Sequence, residues 1–233
     1  MNIFIAELVG TMMLILLGCG VVANVTLNKS GMKGAGSIQI TLAWGLAVLI
    51  PAFIFGGVSG AHFNPALTIA LVIDGSVPVS LLPMYLGGEF LGAILGACIV
   101  YFMFQDQFDA TDDAGAKLGV FSTSPSVPHV GRNLLSEIVG TFVLVFAIKG
   151  LPADAPAGVG NLLVFGIIVS IGMSFGGLTG YAINPARDLG PRIAHAILPI
   201  KGKGDGNWGY AWIPVVGPII GAIIAVLLYG AIF

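Results

Sequence analysis

The chain has 233 residues, of which nine are Lys or Arg and eleven Asp or Glu, while 57% are apolar and 35 are glycine. Charged side chains make up 9% of it, against roughly 25% in a soluble domain, and mean hydropathy is +1.01. Too few polar groups exist to coat a water-facing surface, so the natural solvent is a lipid bilayer, and a net charge of −2 offers no basic face to nucleic acid.

In chain order, the uncharged stretches predict a first membrane span at residues 3–25 and a second at 38–55, each close to the roughly 20 apolar residues that a crossing needs. The first has no basic start and five further spans follow, so it is not read as a signal peptide. A short apolar segment, residues 65–73, ends at Asp74-Gly75. At 1.5 Å per residue it reaches roughly 14 Å, half a bilayer. A third span is predicted at 83–104, then a polar connection with four aspartates that reads as an aqueous loop. Spans at 133–148, 162–175 and 212–233 complete a set of six. Cys19 and Cys98 both lie in apolar stretches and read as small buried hydrophobes.

The two halves look alike. Glu7-x-x-Gly10-Thr11 recurs as Glu137-x-x-Gly140-Thr141, at an offset of 130. The block from Gly56 through Asn64-Pro65-Ala66 recurs from Gly176 through Asn184-Pro185-Ala186, at an offset of 120 with six of eleven positions identical. Gly88 to Ala93 matches Gly217 to Ala222 at 129. The predicted organisation is one domain over 1–233, with repeats at 1–105 and 132–233 joined by a connection at 106–131. Three spans per half is odd, so the second copy enters the membrane from the opposite side. An inverted repeat of this kind is a transport architecture.

Each Asn-Pro-Ala block starts a helix, because an asparagine oxygen caps the first turn and proline is favoured next to it. Half-helices entering from opposite faces aim two positive ends at one point, with irregular backbone lining the cavity. The capping oxygens are used, and the NH2 groups of Asn64 and Asn184 are expected to be free for a solute. Neutral acceptors are welcomed there and cations opposed. Arg187, in the first turn of the second half-helix, opposes the helix dipole. A charge so placed in a membrane segment points to function.

The sequences Ser59-Gly60-Ala61-His62-Phe63-Asn64-Pro65-Ala66 and Thr179-Gly180-Tyr181-Ala182-Ile183-Asn184-Pro185-Ala186-Arg187-Asp188 resemble those of the major intrinsic proteins, or aquaporins. Within that family the chain looks like a glycerol facilitator (aquaglyceroporin). The resemblance implies an all-α membrane protein of six transmembrane helices plus two re-entrant half-helices in two inverted repeats. It also implies a multi-pass location in the cell membrane and a homotetramer with a pore through each subunit. The selectivity filter it implies is Trp44, Gly172, Tyr181 and Arg187, the glycine leaving room where water-selective members have histidine. By position alone Trp44 also fits an aromatic of the membrane interface. Pro214-Val215, Phe121-Ser122-Thr123-x-Pro125 and Pro128-His129 resemble the glycerol branch. Tyr181 stands where that branch has phenylalanine, which admits undissociated lactic acid, urea or dihydroxyacetone beside glycerol and water as solutes.

The remaining ionisable residues get plainer readings. Glu7 and Glu137 are expected to hold the backbone amides before the half-helices, and Asp188 and Arg192, four apart, to pair as architecture. His62 is expected to line the pore. Glu89 is left open among a protonated carboxyl, a contact between subunits and a cation site. The family orientation puts Lys29, Lys33, Lys117, Arg132, Lys201 and Lys203 outside and only Lys149 inside, the reverse of the usual tendency. No nucleophile–base pair, metal cluster or cofactor motif appears, so an enzyme is not expected. The rival to a passive channel is an ion-coupled carrier, which needs a coupling residue at mid-depth.

Overall fold

The computed structural model describes residues 2–156 and 158–233, and among these the regular structure is helical. The long helices are α1 (Ile3–Thr26), α2 (Ser37–Ser59), α4 (Leu82–Met103), α7 (Val130–Lys149), α8 (Val159–Thr179) and α10 (Ile213–Ile232). All six belong to segments long and apolar enough to cross a membrane. Two shorter helices, α3 (Pro65–Ile73) and α9 (Pro185–Ile197), follow the Asn-Pro pairs. The first is the nine-residue half-span expected from the sequence, and the second extends to 13 residues.

The connection at 106–131 is more structured than a plain aqueous loop. It carries α5 (Gln105–Asp109) and α6 (Ala114–Phe121), and Leu118, Val120, Phe121, Ser122 and Thr123 are buried. The reason is local: Asp113 caps α6 through the Ala116 amide, and the apolar face of α6 packs inward, with the Phe108 and Phe121 rings stacked 5.5 Å apart.

Glycine sets the helix spacing, and it does so twice. A Cβ at Gly92 would lie 2.2 Å from the Leu8 carbonyl oxygen, and one at Gly221 would lie 2.2 Å from that of Ile138. These are equivalent contacts in the two halves, α4 on α1 and α10 on α7, with backbones in direct touch. The Glu-x-x-Gly pattern has the same logic, since residues three apart share a helix face. Gly10 receives the Phe63 ring and Gly140 the Ile183 side chain, each one turn from the glutamate that holds the same loop.

The lysines that run against the usual charge bias fasten loops. Lys203 Nζ donates to the carbonyls of His195, Ala196 and Leu198, capping the end of α9. Lys201 pairs with Asp109 at 3.0 Å, Lys117 bonds the Lys201 carbonyl and Lys33 bonds Asn28. Lys149 pairs with Asp74 at 2.8 Å, tying the end of α7 to the end of α3. Partial burial pushes the Asp74 carboxyl up, but Lys149 and Ser76 outweigh it and hold the group below its usual range.

Candidate functional site

The two half-helices meet end to end at the middle of the fold. Asn64 Oδ1 accepts the Ala66 amide at 3.0 Å, and Asn184 Oδ1 accepts those of Ala186 and Arg187 at 3.0 and 3.1 Å. Their amide nitrogens are not wholly free as the sequence reading had them. Asn64 Nδ2 donates to the Ile183 carbonyl at 2.9 Å and Asn184 Nδ2 to the Phe63 carbonyl at 2.7 Å, stitching the two loops together. Each amide carries two N–H groups, so one on each remains for the lumen.

The backbone before each half-helix is strained in matched places. Ala61 and Phe63 have φ of 55° and 50°, and Tyr181 and Ile183 have 39° and 44°. Left-handed geometry costs a non-glycine residue energy, most of all a β-branched one, and persists only where its surroundings enforce it. Glu7 supplies that enforcement in the first loop, accepting the Ser59 hydroxyl at 2.5 Å and the His62 and Phe63 amides at 3.1 and 2.7 Å. Glu137 does so in the second, accepting the Thr179 hydroxyl at 2.6 Å and the Ala182 and Ile183 amides at 3.1 and 2.8 Å. Both glutamates are fully buried.

Two cavities flank a narrow point. One, of about 220 Å³, is lined by His62, Asn64 and Asn184 among mostly apolar residues. The other, of about 750 Å³, is lined by Thr41, Ser122, Thr123 and Gly172 among others. Among the described residues, Trp44, Tyr181 and Arg187 alone line both. Trp44 is 5% exposed and packs over Gly18, where a Cβ would lie 2.3 Å from its ring, so it is no interfacial aromatic. The Arg187 guanidinium carbon lies 3.9 Å from the Trp44 ring centroid, and its Nη1 donates to the Phe121 carbonyl at 3.1 Å. Tryptophan face and carbonyl together hold the cation in a fixed pose.

Gly172 lines the larger cavity and also seats a neighbouring ring. The space a side chain would need there is taken by Thr41 and by the Tyr181 ring, whose Cζ would be 2.9 Å from a Cβ, and Gly176 makes the same allowance. These glycines seat the tyrosine and also line the larger cavity. The Tyr181 hydroxyl is buried against Thr41.

Sequence reasoning missed the connecting segment's share in this site. The Phe121 carbonyl positions Arg187, and Thr123 donates both its amide and its hydroxyl to Asp188 at 2.7 Å. Arg192 closes the arrangement, bonding Asp188 through Nε and Nη2 at 2.9 and 3.0 Å and the carbonyls of Thr123, Gly206 and Asn207. A backbone carbonyl has no sequence signature; the adjoining Phe-Ser-Thr motif was the only available sign. Glu89 is fully buried within the chain, which removes the reading of it as a contact between subunits.

Residues 1–229 match the family model for the major intrinsic proteins. The chain is 53% identical to the glycerol uptake facilitator protein of Bacillus subtilis, over its whole length and 85% of that protein. It is 52% identical to a probable glycerol uptake facilitator of Thermotoga maritima, each covered in full. The X-ray structure of the aquaglyceroporin from Plasmodium falciparum superposes with a TM-score of 0.87 at 29% identity, covering 97% of this chain and 94% of that one. With its six apolar spans, two inverted half-helices and the whole-chain match, this multi-pass membrane protein belongs to the major intrinsic protein family and has the aquaporin fold.

Proposed function

We propose that this chain is a passive channel for glycerol and other small uncharged solutes, with water, and that it excludes ions and protons. The observation that carries the reading is the shared lining: among the described residues, Trp44, Tyr181 and Arg187 are the three that border both cavities. A polyol passing that point turns its carbon edge to the tryptophan and tyrosine rings and its hydroxyl oxygens to the remaining N–H groups of the arginine fork. Beyond it, the free N–H of Asn64 and of Asn184 receives the same oxygens at the half-helix ends. An arginine cation and two positive helix ends oppose any cation, hydronium included. The names of the relatives, glycerol uptake facilitator and aquaglyceroporin, support glycerol as the solute, and the family's homotetramer is carried forward with it.

A second solute class, undissociated lactic acid, urea or dihydroxyacetone, rests on the Tyr181 ring, which lines both cavities. The carrier reading has no such support, because Glu89 lines neither cavity. Stopped-flow light scattering on proteoliposomes tests the proposal. Glycerol entry is expected to run well above that of empty liposomes, to rise linearly with the gradient and to stop at equal concentrations. A glycerol rate equal to that of empty liposomes, or accumulation above the external concentration, contradicts it.

A further inference from the structure

Glu89 sits on α4 at mid-chain, 0% exposed, and its contacts run in one direction. Oε1 accepts the Asn64 amide at 3.2 Å and the Thr68 hydroxyl at 2.7 Å, while Oε2 is buried without a partner. The Thr68 oxygen lies 2.9 Å from His62 Nδ1. His62 in turn lines the smaller cavity and is clamped against Tyr85, ring centroids 4.4 Å apart at 15°. A hydrogen-bonded chain therefore leads from a buried carboxyl through one hydroxyl to an imidazole at the lumen.

The donor and acceptor order along that chain is forced. An ionised Glu89 can only accept, so the Thr68 hydroxyl donates to it and its oxygen accepts from His62 Nδ1–H, which leaves Nε2 as a bare acceptor. A protonated Glu89 carries its proton on Oε1, since a donor on Oε2 would be buried with nothing to receive it, and this reverses every bond: the carboxyl donates to Thr68, Thr68 donates to Nδ1, and the proton of the imidazole sits on Nε2. The interconversion balances. One proton from cavity water adds to Nε2, the Nδ1 proton passes to the Thr68 oxygen, and the Thr68 proton passes to Oε1, so the histidine stays neutral and the carboxylate loses its charge.

The groups around the carboxyl leave it without a cation. From α1 it faces Glu7, which is occupied with Ser59, His62 and Phe63. On α4 itself Tyr85 donates to the Ser59 carbonyl. Where α9 meets α4 it presents Gly190 against Ala93, and its charged residues Asp188 and Arg192 bond Thr123, Gly206, Asn207 and each other. His195 of α9 lies edge-on to Phe121, and α5 follows the far end of α4 with its Asp109 held by Lys201. The device is confined to the first repeat: at the repeat offsets, His62, Thr68 and Glu89 answer to Ala182, Asp188 and Pro218. The second half-helix is held without it, so holding a half-helix does not demand the three.

We propose that Glu89 is a positioning residue that sets, through Thr68, whether His62 presents an acceptor or a donor to the passing solute. The inference rests on the channel reading for its consequence in flux but not for its test. With a bare Nε2 the lumen keeps an acceptor for a polyol hydroxyl amid many donors; with Nε2–H that acceptor is lost. Nitrogen-15 NMR of histidine-labelled protein in bilayers reads the tautomer directly, His62 being assigned by its loss in His62→Gln. Between about pH 5 and about pH 9, a range wide enough to titrate a buried carboxyl, His62 is expected to pass from the neutral Nε2–H form to the neutral Nδ1–H form. In Glu89→Gln the Asn64 amide holds the side-chain oxygen in place, Thr68 must donate to it, and His62 is expected to stay Nδ1–H at every pH. Glycerol permeability of the wild type is expected to fall roughly 2- to 10-fold at the acid end, the worth of one net hydrogen bond, and that of Glu89→Gln to stay level. A single His62 tautomer throughout in the wild type, direct passage to imidazolium, or the same tautomer profile in Glu89→Gln overturns the proposal whatever solute the channel carries.

Discussion

An Arg192→Met protein loses about 3–5 kcal/mol of stability, the usual cost of removing one partner from a buried ion pair. Both side chains of the Arg192–Asp188 pair are wholly buried, at 2.8 Å, and the guanidinium also binds the carbonyls of Thr123, Gly206 and Asn207. The substitution therefore strands a carboxylate and three carbonyls together, and releases the connecting segment from the loop after α9. Thermal unfolding in detergent measures the loss. The double variant Asp188→Asn/Arg192→Met is expected to be more stable than Arg192→Met alone, since the asparagine oxygen still accepts from Thr123 and no unpaired charge remains. A double variant less stable than the single one would mean that the charge of Asp188 is not the source of the cost. Selectivity should suffer as well, because Thr123 lies two residues from the carbonyl that fixes Arg187.

Glu137→Ala is expected to abolish glycerol flux. It orphans the Ala182 and Ile183 amides and the Thr179 hydroxyl, each a buried donor whose loss costs about 1–3 kcal/mol. Those amides also hold Ile183 at a φ of 44°, so without the carboxylate the loop relaxes and the Ile183 carbonyl leaves Asn64. Glu137→Gln keeps an acceptor oxygen and is expected to lie between the alanine variant and the wild type in both flux and thermal stability. Wild-type glycerol flux in the alanine variant, at equal protein per liposome, would contradict the role given to this glutamate.

Much of the fold is readable from residue spacing because membrane helices answer to local rules. The half-span after Asn64-Pro65 is fixed by a cap at one end and Asp74-Gly75 at the other, and neither depends on tertiary contacts. Glu7 and Glu137 stand out because a carboxylate in an apolar span demands donors. Other features depend on what crosses what. That Gly10 is a socket for Phe63, or that Gly172 and Gly176 seat Tyr181, requires the crossing geometry of two segments far apart in sequence. The bonds from the asparagine NH2 groups to the opposite loop exist only because the two half-helices meet. The connecting segment read as solvent-exposed because of its aspartates, yet one of them, Asp113, caps the helix that carries Phe121 into the site. Helix α5 spans five residues and α6 eight, too short for periodicity to reveal.

On the proposed channel reading, selectivity is set where Trp44, Tyr181 and Arg187 border both cavities. The most direct test compares wild type and Arg187→Ala in the same proteoliposomes, measuring glycerol, a bulkier polyol and proton flux side by side. The alanine variant is expected to keep glycerol flux and to admit the bulkier polyol and protons that the wild type excludes, since both the narrowing side chain and its charge are gone. Unchanged exclusion of both by a folded, glycerol-conducting Arg187→Ala protein would contradict it.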